Sequence, residues 1–497
     1  MEQQQQQQEA NPPPPQDVEM APRSRPFPTL ELSVADRKEI CQIAKQVVRA
    51  AVDEYEYFLW ADRRQLSPAR WSLVQAKDDI RVYHNRQHAS SATASTKEAA
   101  DRQSLLLAVG SLVGSVDDAA LGLIARTEEE MRLRARYLQE SVTNCAVLAV
   151  VQRPKDDKPF RSITVKWVVR GAPWHLRALS KPRDSVFIDA TGVLTLTNNE
   201  RVAFQLVHSI ELPQAPTLQP MYTRTRLSHC SLWRQLDATH VETYTRAIIE
   251  TPDRLTAPLM IRSTAESFLL MWRVLNCAQM KKLAWFITTR TPLLGDTDKA
   301  HAHGMFNNNN SSSNNNDNTI LESILDDGKC GTCGSASRSV RRRSPKCMCL
   351  ACGRFVCNEC RTKKELFAAN AEGEIVATEV VVCLSCLTLA VRTSATDVLR
   401  DELAAAQRRS SEEKTMLASL HHIVGSARHW RGSSFGATPR HHPHALSPDD
   451  AAAALSGSNS SSSLGLSNSL SSSSSSERET TWTLSSWRAL VRGEPST

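Results

Sequence analysis

Nine of the thirteen cysteines in this 497-residue chain lie between Cys330 and Cys386, and eight of them form four Cys-x2-Cys pairs. The pairs are Cys330 with Cys333, Cys349 with Cys352, Cys357 with Cys360 and Cys383 with Cys386. Two thiolates separated by two residues can turn back on one small ion, and a structural Zn2+ takes four such ligands in a tetrahedron. Eight sulfurs therefore predict two zinc ions. A disulfide framework is the competing chemistry, but it needs an oxidising compartment. The opening MEQQQQQQEANPPPPQDV carries no basic-then-apolar leader, so a reducing, cytoplasmic setting is expected. Cys41, Cys145, Cys230 and Cys277 stand singly and read as small buried apolar residues. With all four ligands at each ion thiolates, no position is left for a reactive water. No hydrolytic triad or phosphate loop stands out elsewhere, and a non-enzyme is expected.

Charge gathers on the same stretch. From Gly328 to Lys364 there are ten Lys or Arg against the single acid Glu359, whereas the whole chain is only +7. Eight thiolates and two Zn2+ would leave this module at about +5. Arg341, Arg342, Arg343, Lys346 and Arg354 are the candidate residues for meeting an anionic membrane surface, where each cation is worth about 1 kcal/mol. Such contact would be peripheral, because no run of about twenty apolar residues exists to span a bilayer. Nucleic acid is not expected, since no aromatic platform interrupts Arg341 to Arg343.

The segment Cys349-Leu-Ala-Cys352-Gly353-Arg-Phe-Val-Cys357-Asn-Glu-Cys360 resembles the centre of FYVE zinc fingers. The resemblance implies interleaved pairs: Cys330, Cys333, Cys357 and Cys360 at one ion, Cys349, Cys352, Cys383 and Cys386 at the other. It also implies a turn at Gly353, where positive φ suits a residue without Cβ. The family's headgroup readers are mostly missing: Leu325-Asp-Asp precedes Cys330, Lys346-Cys-Met precedes Cys349, and Val381-Val precedes Cys383. Unfocused, salt-sensitive attraction to anionic lipid is therefore expected instead of selectivity for one phosphoinositide. A RING-type ubiquitin ligase is the alternative for the cysteines, but the spacing from Cys352 to Cys357 does not suit it.

The rest of the chain must position this module. Residues 1–27 lack the apolar side chains that ordering requires and are expected to be disordered. Ser33-x-x-Asp36 opens a helix with Ile40, Ile43, Val47, Ala51, Tyr55 and Phe58 on one face. β structure is expected from Trp71 to Tyr83 and from Leu105 to Val113, then a helix from Ala119 to Leu138. Strands follow over 144–151, 160–170, 185–198, 201–212 and 223–235. In the second of these, Ile163, Val165, Trp167 and Val169 alternate with Ser162, Thr164, Lys166 and Arg170, the pattern of an antiparallel sheet with one face on the core. A long apolar helix from Pro258 to about Ile287 closes the series.

This α+β order resembles a START-like lipid-binding domain, as does the segment Lys181-Pro182-Arg183-Asp184-Ser185-Val186-Phe187. The resemblance implies a helix-grip fold: a curved antiparallel sheet around a long C-terminal helix, with an apolar cavity for one lipid. START-like domains fused to FYVE-like fingers are an oomycete-type architecture. The expected organisation is a tail (1–27), a START-like domain (28–290), an Asn/Ser-rich linker (291–324), a FYVE-like finger (325–392), a helix (393–424) and a Ser-rich disordered tail (425–497). The linker should decouple the modules. In the helix, Leu399, Leu403, Leu417 and Leu420 fit a heptad, so a coiled coil is weighed. The expected function is a non-enzymatic lipid-binding adaptor, peripheral on endosomal or other anionic membranes. The alternative is a protein-interaction scaffold without lipid.

Overall fold

The computed structural model describes residues 26–86, 103–171, 181–250, 257–290, 329–335, 347–370 and 373–408. Those up to Leu403 gather in one compact unit; a second unit begins at Ala404, and only its first five residues are described. The expected N-terminal tail, linker and C-terminal tail otherwise fall outside the described residues.

Helix α1 (Val34–Trp60) begins where the sequence places it. The Ser33 hydroxyl accepts from the Asp36 amide at 3.1 Å, and the Asp36 carboxylate accepts from the Ser33 amide at 3.0 Å. This reciprocal pair satisfies two of the N–H groups that a helix start leaves unbonded. Its buried face, with Ile40, Val47, Ala51, Tyr55 and Phe58, lies on one side of the sheet. Ordered structure starts earlier than expected, because Phe27 is buried edge-on against Trp167 at 5.7 Å and the Leu30 amide donates to the Leu148 carbonyl at 2.7 Å.

The sheet comprises β1 (Trp71–Lys77), β2 (Ile80–Asn85), β3 (Gln103–Val113), β4 (Val142–Gln152), β5 (Ser162–Arg170), β6 (Arg183–Thr195), β7 (Arg201–Ser209), β8 (Thr223–Arg224), β9 (Leu227–Gln235) and β10 (His240–Glu250). The order is β1-β2-β3-β10-β9-β7-β6-β5-β4, antiparallel throughout, with β8 alone parallel to β6. Strand β10 was not foreseen. It joins the first three strands to the rest, pairing with β3 from His240↔Val113 to Glu250↔Gln103. The alternating polar residues of β5 were expected on an open face, yet Ser162, Thr164 and Lys166 are buried. Helices cover both faces of this sheet, so alternation does not mean exposure.

Two expected helices are each broken. The stretch from 119 to 138 divides into α2 (Val116–Leu123) and α3 (Glu128–Leu138), because the Thr127 hydroxyl accepts from the Glu130 amide at 3.1 Å and caps a new start. The closing helix divides into α4 (Ala257–Leu269) and α5 (Trp272–Arg290). At the break, the Leu270 and Met271 amides reach back only three residues, to the Ser267 and Phe268 carbonyls. The Met271 sulfur meanwhile accepts from the Thr243 and Thr245 hydroxyls at 3.7 and 3.8 Å. An α+β body results: one antiparallel sheet with α1 on one face and α2, α4 and α5 on the other.

Beyond residue 329, β11 (Arg361–Ala369) and β12 (Ile375–Cys383) form a hairpin, followed by α6 (Leu384–Arg392) and a helix over 395–408, α7. This finger does not hang free of the body, as a decoupling linker would have it. Tyr137 of α3 and Cys277, Met280, Leu283, Phe286 and Ile287 of α5 share one core with Leu366, Val380, Val382 and Ala390. The Tyr137 ring stands edge-on to Phe367 at 4.8 Å, and its hydroxyl accepts from the Phe367 amide at 3.0 Å. Lys282 pairs with Asp118 of α2 and donates to the Val391 carbonyl at the end of α6. Helix α5 is buried on two sides, against α2 and the body on one and against the finger on the other.

In α7, Val398 and Leu399 are buried on the body and Leu403 packs beside them. Two of the four heptad leucines thus already have an intramolecular partner, which counts against a coiled-coil seam there; Leu417 and Leu420 lie outside the described residues. No described helix is long and apolar enough to cross a membrane.

Candidate metal centres

Each quartet begins with the same turn. The Gly334 amide donates to the Cys330 carbonyl and the Gly353 amide to the Cys349 carbonyl, both at 2.8 Å. Both glycines hold positive φ, 70° and 67°, a region closed to most side chains. Gly353 was expected there. Gly334 carries the same Cys-x2-Cys-Gly pattern.

The chain then doubles back. The Cys349 amide donates to the Arg354 carbonyl at 2.9 Å, the Val356 amide to the Cys347 carbonyl at 2.8 Å, and the Gly331 amide to the Phe355 carbonyl at 2.9 Å. This brings Cys357 to the first turn, where its amide donates to the Cys330 sulfur at 3.4 Å. The β11–β12 hairpin returns Cys383 opposite Arg361, and the Cys383 amide donates to the Cys349 sulfur at 3.2 Å. Cys383 also caps α6, its sulfur accepting from the Cys386 amide at 3.3 Å.

The sulfurs of Cys330, Cys333, Cys357 and Cys360 therefore converge, as do those of Cys349, Cys352, Cys383 and Cys386, each set within 4.8 Å of one another. That is the interleaving implied by the finger resemblance. Zn–S bonds of about 2.3 Å put tetrahedral sulfurs about 3.8 Å apart. Cys333 and Cys357 stand at 3.7 Å. Backbone N–H groups aimed at the sulfurs favour their thiolate form. Both quartets fit the donor set and size of a four-coordinate metal ion. The second is the more enclosed: Cys349, Cys383 and Cys386 are buried within the core shared with α5, while Cys333 is exposed.

Cys347 belongs to neither quartet and accepts a contact from the Arg361 guanidinium at 3.6 Å. Of the candidate membrane residues, Arg354 is exposed, its side chain lying over Gly331. Arg341, Arg342, Arg343 and Lys346 fall outside the described residues.

The interior of the body holds a second cluster that sequence reasoning missed. Lys166 forms an ion pair with Asp189 and donates to the Ala125 carbonyl at 2.6 Å, while Gln205 donates to Asp189 at 3.0 Å. Burial pushes the Asp189 carboxyl up, but Lys166 and Arg134 outweigh it and hold it below the usual carboxylate range. Burial also pushes the Lys166 ammonium down, against the pull of Asp189. Beside it lies a void of about 20 Å3 lined by Met131, Arg134, Cys145, Lys166, Phe187 and Asp189 among others. That is room for about one water molecule. The alternating polar residues of β5 were the available signal, obscured by the assumption that polar positions face solvent.

No family model matches this sequence, and no curated protein does. Among solved structures the chain is similar to human StAR-related lipid transfer protein 5, at 14% identity and TM-score 0.33, over 48% of this chain and 98% of that one. It is also similar to human STARD10, at 10% identity and TM-score 0.31, over 44% and 78%. A STAR-related lipid transfer protein from Xanthomonas axonopodis shows 15% identity and TM-score 0.28, over 41% and 96%.

Proposed function

We propose that this protein is a non-enzymatic lipid-binding adaptor: the α+β body takes a lipid, and a FYVE-like finger built on two structural Zn2+ meets an anionic membrane or a protein partner. The zinc would supply cross-links that hold the finger's fold. The observation that carries the lipid reading is the buried polar face of the sheet. Lys166, Asp189, Gln205 and Thr164 point into the layer beneath α3, where an ordinary core is apolar. Such groups suit a polar headgroup whose chains lie along the remaining apolar lining. Entry requires α3 to part from β4 and β5, since the void there is only about 20 Å3. That small volume favours a second reading, a zinc-finger scaffold that carries no lipid.

Mass spectrometry of organic extracts from the purified full chain separates the two. The lipid reading expects one lipid class retained near one per chain, and depleted in Lys166→Met. Extracts matching those of an unrelated protein from the same host would establish the scaffold. We place the protein in the cytoplasm, peripheral on endosomal or other anionic membranes; Arg354 is the one exposed candidate among the described residues.

A further inference from the structure

Where the finger meets the body, a groove of about 210 Å3 opens between the hairpin, the C-terminal end of α3 and the side of α5. One wall is the C-terminus of α3, with Arg136, Tyr137 and Gln139; the floor is Asn276 and Met280 of α5; the far wall is Lys363, Lys364, Glu365 and Phe367 of β11. The register explains why a lysine enters it. Lys364 faces Val380 on the hairpin and shares its side with the buried Leu366 and Val382, so its stem runs toward the body. No ion pair to Lys364 is found among the described residues. Lys363 is paired with Glu379 at 2.7 Å, and the Arg136 guanidinium stacks over Phe367 at 5.5 Å.

Arg136, Lys364 and the side-chain amides of Gln139 and Asn276 therefore line one concavity, opposed by Glu365, while Lys363 at the rim is engaged by Glu379. A helix C-terminus would ordinarily repel an anion. Here Arg273 donates to the Leu138 carbonyl at 3.1 Å and offsets the exposed end of α3. The space is too small for an acyl chain and its headgroup together, but large enough for a phosphorylated polyol. The mixture of a planar guanidinium, the Lys364 ammonium and two amides matches the oxygens of a phosphate.

We propose that this groove binds a phosphorylated headgroup-sized anion, held jointly by α3 and α5 of the body and β11 of the finger. The site is distinct from the interior void, from Arg354 and from both cysteine quartets. Its occupant would bridge the two modules.

The test uses the purified full chain loaded with zinc. Calorimetric titration with inorganic phosphate and with soluble inositol 1,3-bisphosphate is set beside flotation with phosphatidylcholine vesicles, with and without phosphatidylinositol 3-phosphate. Binding of the soluble bisphosphate at one per chain is expected, weakened about tenfold or more by Lys364→Ala and by the isosteric, charge-adding Asn276→Asp, and unchanged by Arg354→Ala. Gln139→Glu at the rim gives a third variant should Asn276→Asp not fold, with zinc content and circular dichroism as the check. Binding to vesicles alone, lost in the same groove variants, would assign the anion to a membrane headgroup; binding in solution alone would assign it to a free phosphate. No binding to any probe, or binding indifferent to the groove variants or equally lost in Arg354→Ala, overturns the proposal.

Discussion

Cys347 and Cys349 are two residues apart, yet only the second joins a metal quartet. Cys349 lies with Cys352, Cys383 and Cys386, while Cys347 lies against Arg361. Spacing already separates them, since Cys349 has Cys352 three positions on, where Cys347 has Leu350. We predict two zinc ions per chain in the wild type by atomic absorption, still two in Cys347→Ser, and fewer in Cys357→Ser. Loss of zinc from Cys347→Ser would mean that the quartets are wrongly assigned. The eight converging cysteines were thus legible as four pairs, and the resemblance to a zinc finger supplied how the pairs combine. Lys166 was not, because a polar residue in an alternating strand carries no mark of which layer covers it, and its ion pair with Asp189 forms between strands 23 residues apart.

At the scale of elements, α5 is where the two modules are joined. Its approach to α2 is close enough that a Cβ on Gly122 would stand 2.0 Å from the Val274 carbonyl oxygen. In an exposed helix, Gly→Ala stabilises by about 1 kcal/mol. Here the sign should reverse, because α2 and α5 must separate to admit the methyl group. We expect Gly122→Ala to lower stability by about 2 kcal/mol, read as a lower denaturant midpoint of the full chain. An unchanged or higher midpoint would show that the helices do not pack so tightly. The helix start at Ser33 was readable from its cap, as were the strands of the sheet other than β10. The break at Leu270–Met271 was not, since it is fixed by the two threonines of β10 that hold Met271; the break at 124–127 has a local cap at Thr127, and Lys281 adds to it by donating to the Leu121 and Ile124 carbonyls.

For the whole molecule, the shared core makes the finger a structural part of the body. A specific protease site placed between His301 and Thr319 would cut the covalent link and leave the interface of Tyr137, Phe367, Met280, Leu283 and Phe286 intact. We predict that the two fragments co-elute on size exclusion after cleavage, and separate once a strong chelator removes the zinc that shapes the finger's side of the interface. Fragments that part without the chelator would restore independent modules.

What the sequence by itself determined is everything set by neighbours a few residues apart: the four thiolate pairs, the glycine turn at Gly353, the capped start of α1 and the alternating strands. These follow from backbone reach and Cβ direction, which need no knowledge of the rest of the chain. The tertiary structure alone decided which faces are buried. It turned Lys166 inward, gave Leu399 and Leu403 an intramolecular partner, and seated the finger on α5. Burial depends on groups distant in sequence, which only the folded chain brings together.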